Sequence, residues 1–205
     1  MQSVSNKVVS RIYGHGRGWA FTKKDLADCG GSMAVEKALA RLRSRGTIRL
    51  LLRGVYDYPR FSRLFKAPAT PEADQIAQAI ARKFGWSICP SGATALNLLG
   101  LSTQVPAKYV YHSDGPTKKF NWSGGEIAFT KRSTKETSSL SHRTALVVQA
   151  LKSLGQEHVD SEVLTRLAKN LTAKEKSAAV REARYVTGWV YDAIRKAVAR
   201  EAPNG

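Results

Sequence analysis

The chain runs to 205 residues, 42% hydrophobic and 24% charged, which suits an ordinary globular protein of one sizeable domain or two small ones. Thirty-three Lys and Arg against sixteen Asp and Glu leave a net charge of +17 and a pI near 10.2, an excess that points to a polyanionic partner, nucleic acid ahead of an acidic membrane surface. No apolar run approaches the ~20 residues of a membrane helix, and Cys29 and Cys89 stand far from any histidine at metal-ligand spacing, which excludes a zinc site and a disulfide framework. The two thiols read as core residues of a reducing compartment. With no apolar leader in the opening MQSVSNKVVSRIY, a cytoplasmic protein without cofactors is expected.

The charge is concentrated early. Residues 1–66 hold 14 Lys and Arg against 4 Asp and Glu. The proline-rich KAPATPEA, Lys66 to Ala73, follows where the charge drops, so the expected division is residues 1–66 and residues 67–205.

Val4, Val8, Val9 and Ile12 recur at helical spacing and predict a first helix to about Tyr13. GHGRGWAF, Gly14 to Phe21, then brings three glycines beside a histidine and an arginine. A dinucleotide-binding glycine loop follows a strand and opens a crossover helix. This one follows a helix, with no strand predicted before it, and its spacing is G-x-G-x-G, so it reads as a tight turn with Trp19 and Phe21 anchored in the core. Thr22 and Asp25 form a capping box for a short second helix that ends at Gly30-Gly31. Ser32 caps a third helix whose apolar stripe is Val35, Ala38, Leu39 and Leu42. Gly46 closes it, with Arg41, Arg43 and Arg45 where the helix dipole favours cations. TIRLLLRGVYDYP then predicts two strands turning at Arg53-Gly54.

That order predicts a winged helix-turn-helix, and with the remainder an α+β fold whose mixed α/β C-terminal domain ends in helices. Such a unit stands its third helix clear so that it can enter a major groove. Lys37 and Arg41 are the candidates for the groove, with Arg45 further out. Ser32 and Arg17 are candidates for phosphates, and Arg49 and Arg53 for the wing.

TPEADQIAQAIARKFG predicts a helix capped by Thr70, with Pro71 at its first position and Ile76, Ala77, Ile80 and Phe84 on its core face. WSICPSG predicts a short strand, and SGATALNLLG a small-residue helix stopped by Gly100. KYVYHSDGPTKKFNW and EIAFTKRS predict strands with Asp114-Gly115 starting a turn. From Ser141 onward the pattern is helical, with stripes on Val147, Ala150, Leu151 and Leu154, on Val163, Leu164, Leu167 and Leu171, and on Val190, Ile194, Ala197 and Val198, and with Thr172 capping the helix between the last two.

No enzyme is expected. His112-Ser113-Asp114 is a contiguous trio, whereas a hydrolytic triad is assembled across a fold, and no nucleophile elbow accompanies it. Ser91, with Gly92 and Ala93, could offer backbone N–H groups to an anion; a capped helix packing closely on a sheet accounts for the same residues. Tyr109, Tyr111, Phe120, Trp122 and Phe129 could stack on bases, but their alternation fits packing in strands.

GRGWAFTKKDL, AVEKALARLRSRGTIRLLLRGVYDYP and, above all, the pairing of RGVYDYP with PSGATALNLLGLSTQVP resemble the AbiEi-type antitoxins of type IV toxin–antitoxin systems, from about Ile12 to the C-terminal helices. The resemblance implies an autorepressor whose winged helix binds inverted repeats in its own promoter. It also implies a C-terminal domain that counteracts a nucleotidyltransferase-like toxin, with or without a stable complex. Direct toxin binding and a stand-alone regulator are the alternatives. The basic stretch Lys131, Arg132 and Lys135 and the C-terminal helices are the candidate surfaces toward a toxin.

Overall fold

The computed structural model describes residues 3–104, 106–132 and 139–200. The fold is mixed α+β, and the chain divides into two compact units: the residues up to Trp86 with Lys119–Ile127, and Ser87–Lys118 with the residues from Ala128 onward.

In the first unit, α1 (Val4–His15) begins at Ser3, whose Oγ accepts from Asn6 N at 3.2 Å, and buries Val8 and Ile12. It runs two residues beyond the expected end, through Gly14, and stops at Gly16, φ 83°. β1 (Ala20–Thr22) follows, unexpected from the sequence because all three residues are buried and show no alternation. The expected short helix is a 3-10 helix, Lys23–Cys29, and its capping box is present: Asp25 Oδ2 accepts from Thr22 N at 2.8 Å. α2 (Ser32–Ser44) buries Val35, Ala38, Leu39 and Leu42 as the spacing predicts. Ser32 is not its cap: Gly31 holds that position, and Ser32 is the first helical residue.

β2 (Arg49–Leu52) and β3 (Val55–Asp57) turn at Arg53-Gly54, where Gly54 has φ 75°. With β1 they make an antiparallel sheet of order β1-β3-β2, in register Phe21↔Tyr56 and Leu50↔Tyr56, with an irregularity between Leu50 and Leu52. Phe21, Leu26, Leu39 and Ile48 join Val8 and Ile12 in one core. Each such fully buried side chain contributes about 1.5–3 kcal/mol.

Two further elements belong here. β4 (Phe61–Ser62) and β5 (Ala67–Pro68) form a second hairpin that the sequence pattern does not announce. α3 (Ala73–Phe84) packs on β1, on β3 and on the 3-10 helix, so the compact unit runs past residue 66 to Trp86 before it takes in Lys119–Ile127. Arg82 on α3 donates to Asp25 Oδ1 at 2.7 Å and to the Ala20 carbonyl at 2.8 Å. The helix opens at Ala73 after Glu72, two residues later than Thr70 and Pro71 predict, and Phe84 is 41% exposed instead of lying in the core.

The second unit contains β6 (Ile88–Pro90), α4 (Gly92–Leu98) and β7 (Lys108–Ser113). β8 (Lys118–Trp122) and β9 (Gly125–Lys131) complete a four-stranded sheet of order β6-β7-β9-β8, although Lys119–Ile127 cluster with the first unit. α4 is capped by Ser91 as expected, but it lies chiefly against a helix. That helix is α5 (His142–Leu154), and a Cβ on Gly92 would collide with Ser153. α6 (Ser161–Lys169), α7 (Ala173–Glu182) and α8 (Gly188–Ala199) close the unit around Leu146, Leu151, Leu164, Leu167, Val190 and Ile194. Thr172 and Glu175 make the capping box of α7. Cys29 and Cys89 are both buried and not joined in a disulfide. Among the described residues no helix is long and apolar enough to cross a membrane.

Candidate nucleic-acid interface

Burying Val35, Ala38, Leu39 and Leu42 turns the opposite side of α2 outward. At 100° per residue that side carries Met33, Lys37, Ala40, Arg41 and Ser44. All are exposed, Met33 at 72%. Arg43 and Arg45 stand exposed at the flanks of the last turn. Cations there also answer the negative end of the helix dipole, which needs no ligand.

Some cations of the first unit are paired with carboxylates, Arg17, Lys24 and Lys83 reach backbone carbonyls, and others have no partner among the described residues. Arg11 pairs with Asp28 at 2.5 Å, Lys23 with Glu36, Arg49 with Asp57 at 2.6 Å, Arg60 with Glu72, Arg82 with Asp25 and Lys119 with Glu126 at 4.0 Å. Lys37, Arg41, Arg43, Arg45, Arg53, Arg63 and Lys66 have no side-chain hydrogen bond or ion pair among the described residues. These seven lie on α2 and on the tips of the two hairpins; Lys7 on α1 is likewise exposed without such a partner among the described residues. Next to Arg11, its side-chain hydrogen bond holds the exposed Asp28 carboxyl below the usual carboxylate range.

The sequence-predicted residues distribute unevenly. Lys37, Arg41 and Arg45 share the exposed part of α2. Arg53 is exposed at the β2–β3 turn, whose carbonyl accepts from Lys83 Nζ at 3.2 Å, so α3 steadies the turn while the guanidinium stays outside. Ser32 is exposed at the start of α2, but its Oγ accepts from Lys23 Nζ at 3.1 Å, which also holds Glu36. Arg17 is exposed, lies 4.6 Å over the Tyr58 ring and donates to the Pro59 carbonyl at 2.8 Å.

Arg49 does not stand free on a wing. Its Nε and Nη2 grip both oxygens of Asp57, which is 2% exposed, and Nη2 also reaches the Ala69 carbonyl at 2.9 Å. A buried carboxylate requires such a partner, so Arg49 is a structural residue. Arg63 and Lys66 escaped the sequence reading. The signal was present: from Tyr58 to Pro71 the chain has three cations and no carboxylate.

The glycine turn braces this surface. Gly18 N donates to the Tyr58 carbonyl at 2.6 Å, and Tyr58 N donates to the Trp19 carbonyl at 3.0 Å. Gly18 has φ 96°, and the Arg60 guanidinium lies where its Cβ would be. Trp19 is sandwiched between His15 and Phe21, with centroids at 3.8 and 4.7 Å.

Elsewhere, Asp114 Oδ1 accepts from Ser87 N at 2.8 Å, and the Ser113 hydroxyl accepts from Gly115 N at 3.0 Å. Burial, and then the charge of Arg132, push the His112 imidazole below its ordinary value. Lys131 and Arg132 are exposed; Lys135 lies outside the described residues. No group of three His, Cys, Asp or Glu among the described residues could hold a metal ion.

Comparison with known proteins adds a family. The model of a family of unknown function (DUF6088) matches residues 7–180. No curated protein matches the chain. Among solved structures, the crystal structure of the RV2827C protein from Mycobacterium tuberculosis is similar at 16% identity and a TM-score of 0.40, over 96% of this chain and 76% of that one.

Proposed function

Because the chain belongs to this family of unknown function, its activity has to be read from its own surface, and we propose that it binds duplex DNA as a non-enzymatic repressor. The order α1, β1, 3-10 helix, α2, β2–β3 is read as a winged helix-turn-helix, with α2 as the helix that enters the major groove. One observation carries the proposal: six cations of the first unit are paired with carboxylates, while those on the outer side of α2 and at Arg53 have no partner among the described residues. Lys37 and Arg41 read bases, Arg45 and Arg53 meet phosphates, and Arg17 and Ser32 flank the backbone. Arg49 takes no part.

The test is a mobility-shift titration on the DNA upstream of its own gene. Arg41→Ala is expected to weaken binding by about 1–3 kcal/mol, the worth of a bidentate guanine contact. Log K should fall with log salt by roughly 0.9 per phosphate neutralised. Unchanged affinity on Arg41→Ala, or a flat salt response, overturns the assignment of α2.

The resemblance to AbiEi-type antitoxins extends the reading: in the cytoplasm, the repressor represses an operon shared with a nucleotidyltransferase-like toxin, which its second unit counteracts. Co-expression with the product of the adjacent gene tests this. Rescue of growth without co-elution on size exclusion supports the type IV reading. Stable co-elution supports direct toxin binding, and no growth effect of either gene leaves a stand-alone regulator.

A further inference from the structure

The β4–β5 hairpin breaks the usual relation between hydrophobicity and burial. Its tip, Arg63-Leu64-Phe65-Lys66, exposes Leu64 at 83% and Phe65 at 77%, and Phe61 at its base is 58% exposed. The large apolar groups stand between two cations that have no partner among the described residues. The hairpin is nevertheless held in place. Ala69 N donates to the Arg60 carbonyl at 2.8 Å, and Phe65 N donates to Ser62 Oγ at 3.3 Å. Arg60 reaches the Arg17 carbonyl at 3.2 Å and pairs with Glu72. A moored strand pair presenting an apolar tip within a carboxylate-free basic stretch is suited to a polyanion that also offers apolar surface. Stacked bases within a minor groove are such a surface, and Phe and Leu are among the side chains that wedge there.

Reach is compatible with the interface on α2. Eight residue steps separate Arg53 from Phe61, at most about 29 Å of extended chain. One turn of duplex is about 34 Å, so both hairpins fall within the length of a single bound turn.

We propose that the β4–β5 hairpin is a second duplex contact, with Leu64 and Phe65 entering the minor groove and Arg63 and Lys66 holding the phosphates on either side. This rests on the reading of α2 as a DNA-binding helix.

The experiment compares the full chain with Leu64→Ser/Phe65→Ser, Arg63→Ala/Lys66→Ala and Arg41→Ala by fluorescence anisotropy on a labelled duplex from its own upstream region, across a salt series and with netropsin as minor-groove competitor. All four tip residues are exposed, so the variants should melt with the parent. The apolar pair is expected to lose about tenfold in affinity with the salt slope unchanged, and to lose sensitivity to netropsin, because apolar contacts release no counterions. The basic pair is expected to lower the slope by up to about 1.8, for two phosphates. If both pairs bind as the parent while Arg41→Ala is impaired, the hairpin proposal fails alone. If the parent binds no duplex, the underlying reading fails. Sedimentation with phosphatidylserine vesicles that is lost in Leu64→Ser/Phe65→Ser, with duplex affinity intact, assigns the tip to a lipid surface and overturns the proposal.

Discussion

At the residue scale, similar arginines do opposite work. Arg49 and Arg53 lie four positions apart on one short hairpin, and the sequence offers nothing to rank them. Burial separates them: Asp57 on the central strand is buried and takes Arg49, whereas Arg53 is exposed at the turn. Arg49→Ala is expected to cost about 3 kcal/mol, because it strands a buried carboxylate. A urea melt would detect this, and Arg53→Ala should melt within about 0.5 kcal/mol of the parent. Gly18→Ala should cost about 1–2 kcal/mol from its φ of 96° alone. It also displaces Arg60 from the Arg17 carbonyl, so trypsin should cut faster after Arg63 and Lys66 than in the parent. A tryptic time course that is unchanged would show that Gly18 does not moor the hairpin.

At the scale of elements, legibility followed periodicity. α2 and α6 have one apolar face and one polar face, so spacing finds them. β1 is buried on both faces and three residues long, which leaves no period to read. β4–β5 inverts the rule that apolar residues face inward, so a search for a core passes over it. The close packing of α4 on α5 was legible as small residues, but not its partner. Gly92→Ala is expected to destabilise by about 1–3 kcal/mol, as Ser153 must move with the backbone that carries it. The start of α5 carries a pH dependence. Burial pushes the Glu182 carboxyl up, but hydrogen bonds from Ser141 and Thr144 and the charge of Arg181 outweigh it and hold it below its ordinary value. A depressed carboxyl contributes stability above the ordinary glutamate range and loses it as pH falls through its lowered value. Glu182→Gln should therefore melt below the parent near neutrality, by about 1 kcal/mol, and the two should converge in acid. A gap that persists once Glu182 is protonated in the parent would assign the effect to packing.

At the scale of the molecule, composition and charge pointed to a break in the chain, but not to where the compact unit ends. The proline-rich segment and the fall in charge mark residue 66, whereas contacts close the first unit around α3. The physical reason is that α3 supplies Ile76 and Ile80, both fully buried, and Arg82, which holds Asp25 and the Ala20 carbonyl. None of these long-range partners is visible in local pattern. A fragment ending at residue 66 is expected to lose cooperative thermal unfolding, since it uncovers β1. A sharp two-state melt of that fragment would restore the earlier boundary.

The cations that have no partner among the described residues have a consequence for handling the free protein. Like charges on α2 and at both hairpin tips repel one another in the unbound state, and that repulsion weakens as the Debye length shrinks, from about 10 Å at 0.1 M salt to about 3 Å at 1 M. The melting temperature should rise with ionic strength, opposite in direction to the fall in duplex affinity that the proposed interface entails. In dilute buffer the chain should co-purify with host nucleic acid, seen as an elevated 260/280 nm absorbance ratio. Purification in high salt would then yield a cleaner and more heat-resistant preparation.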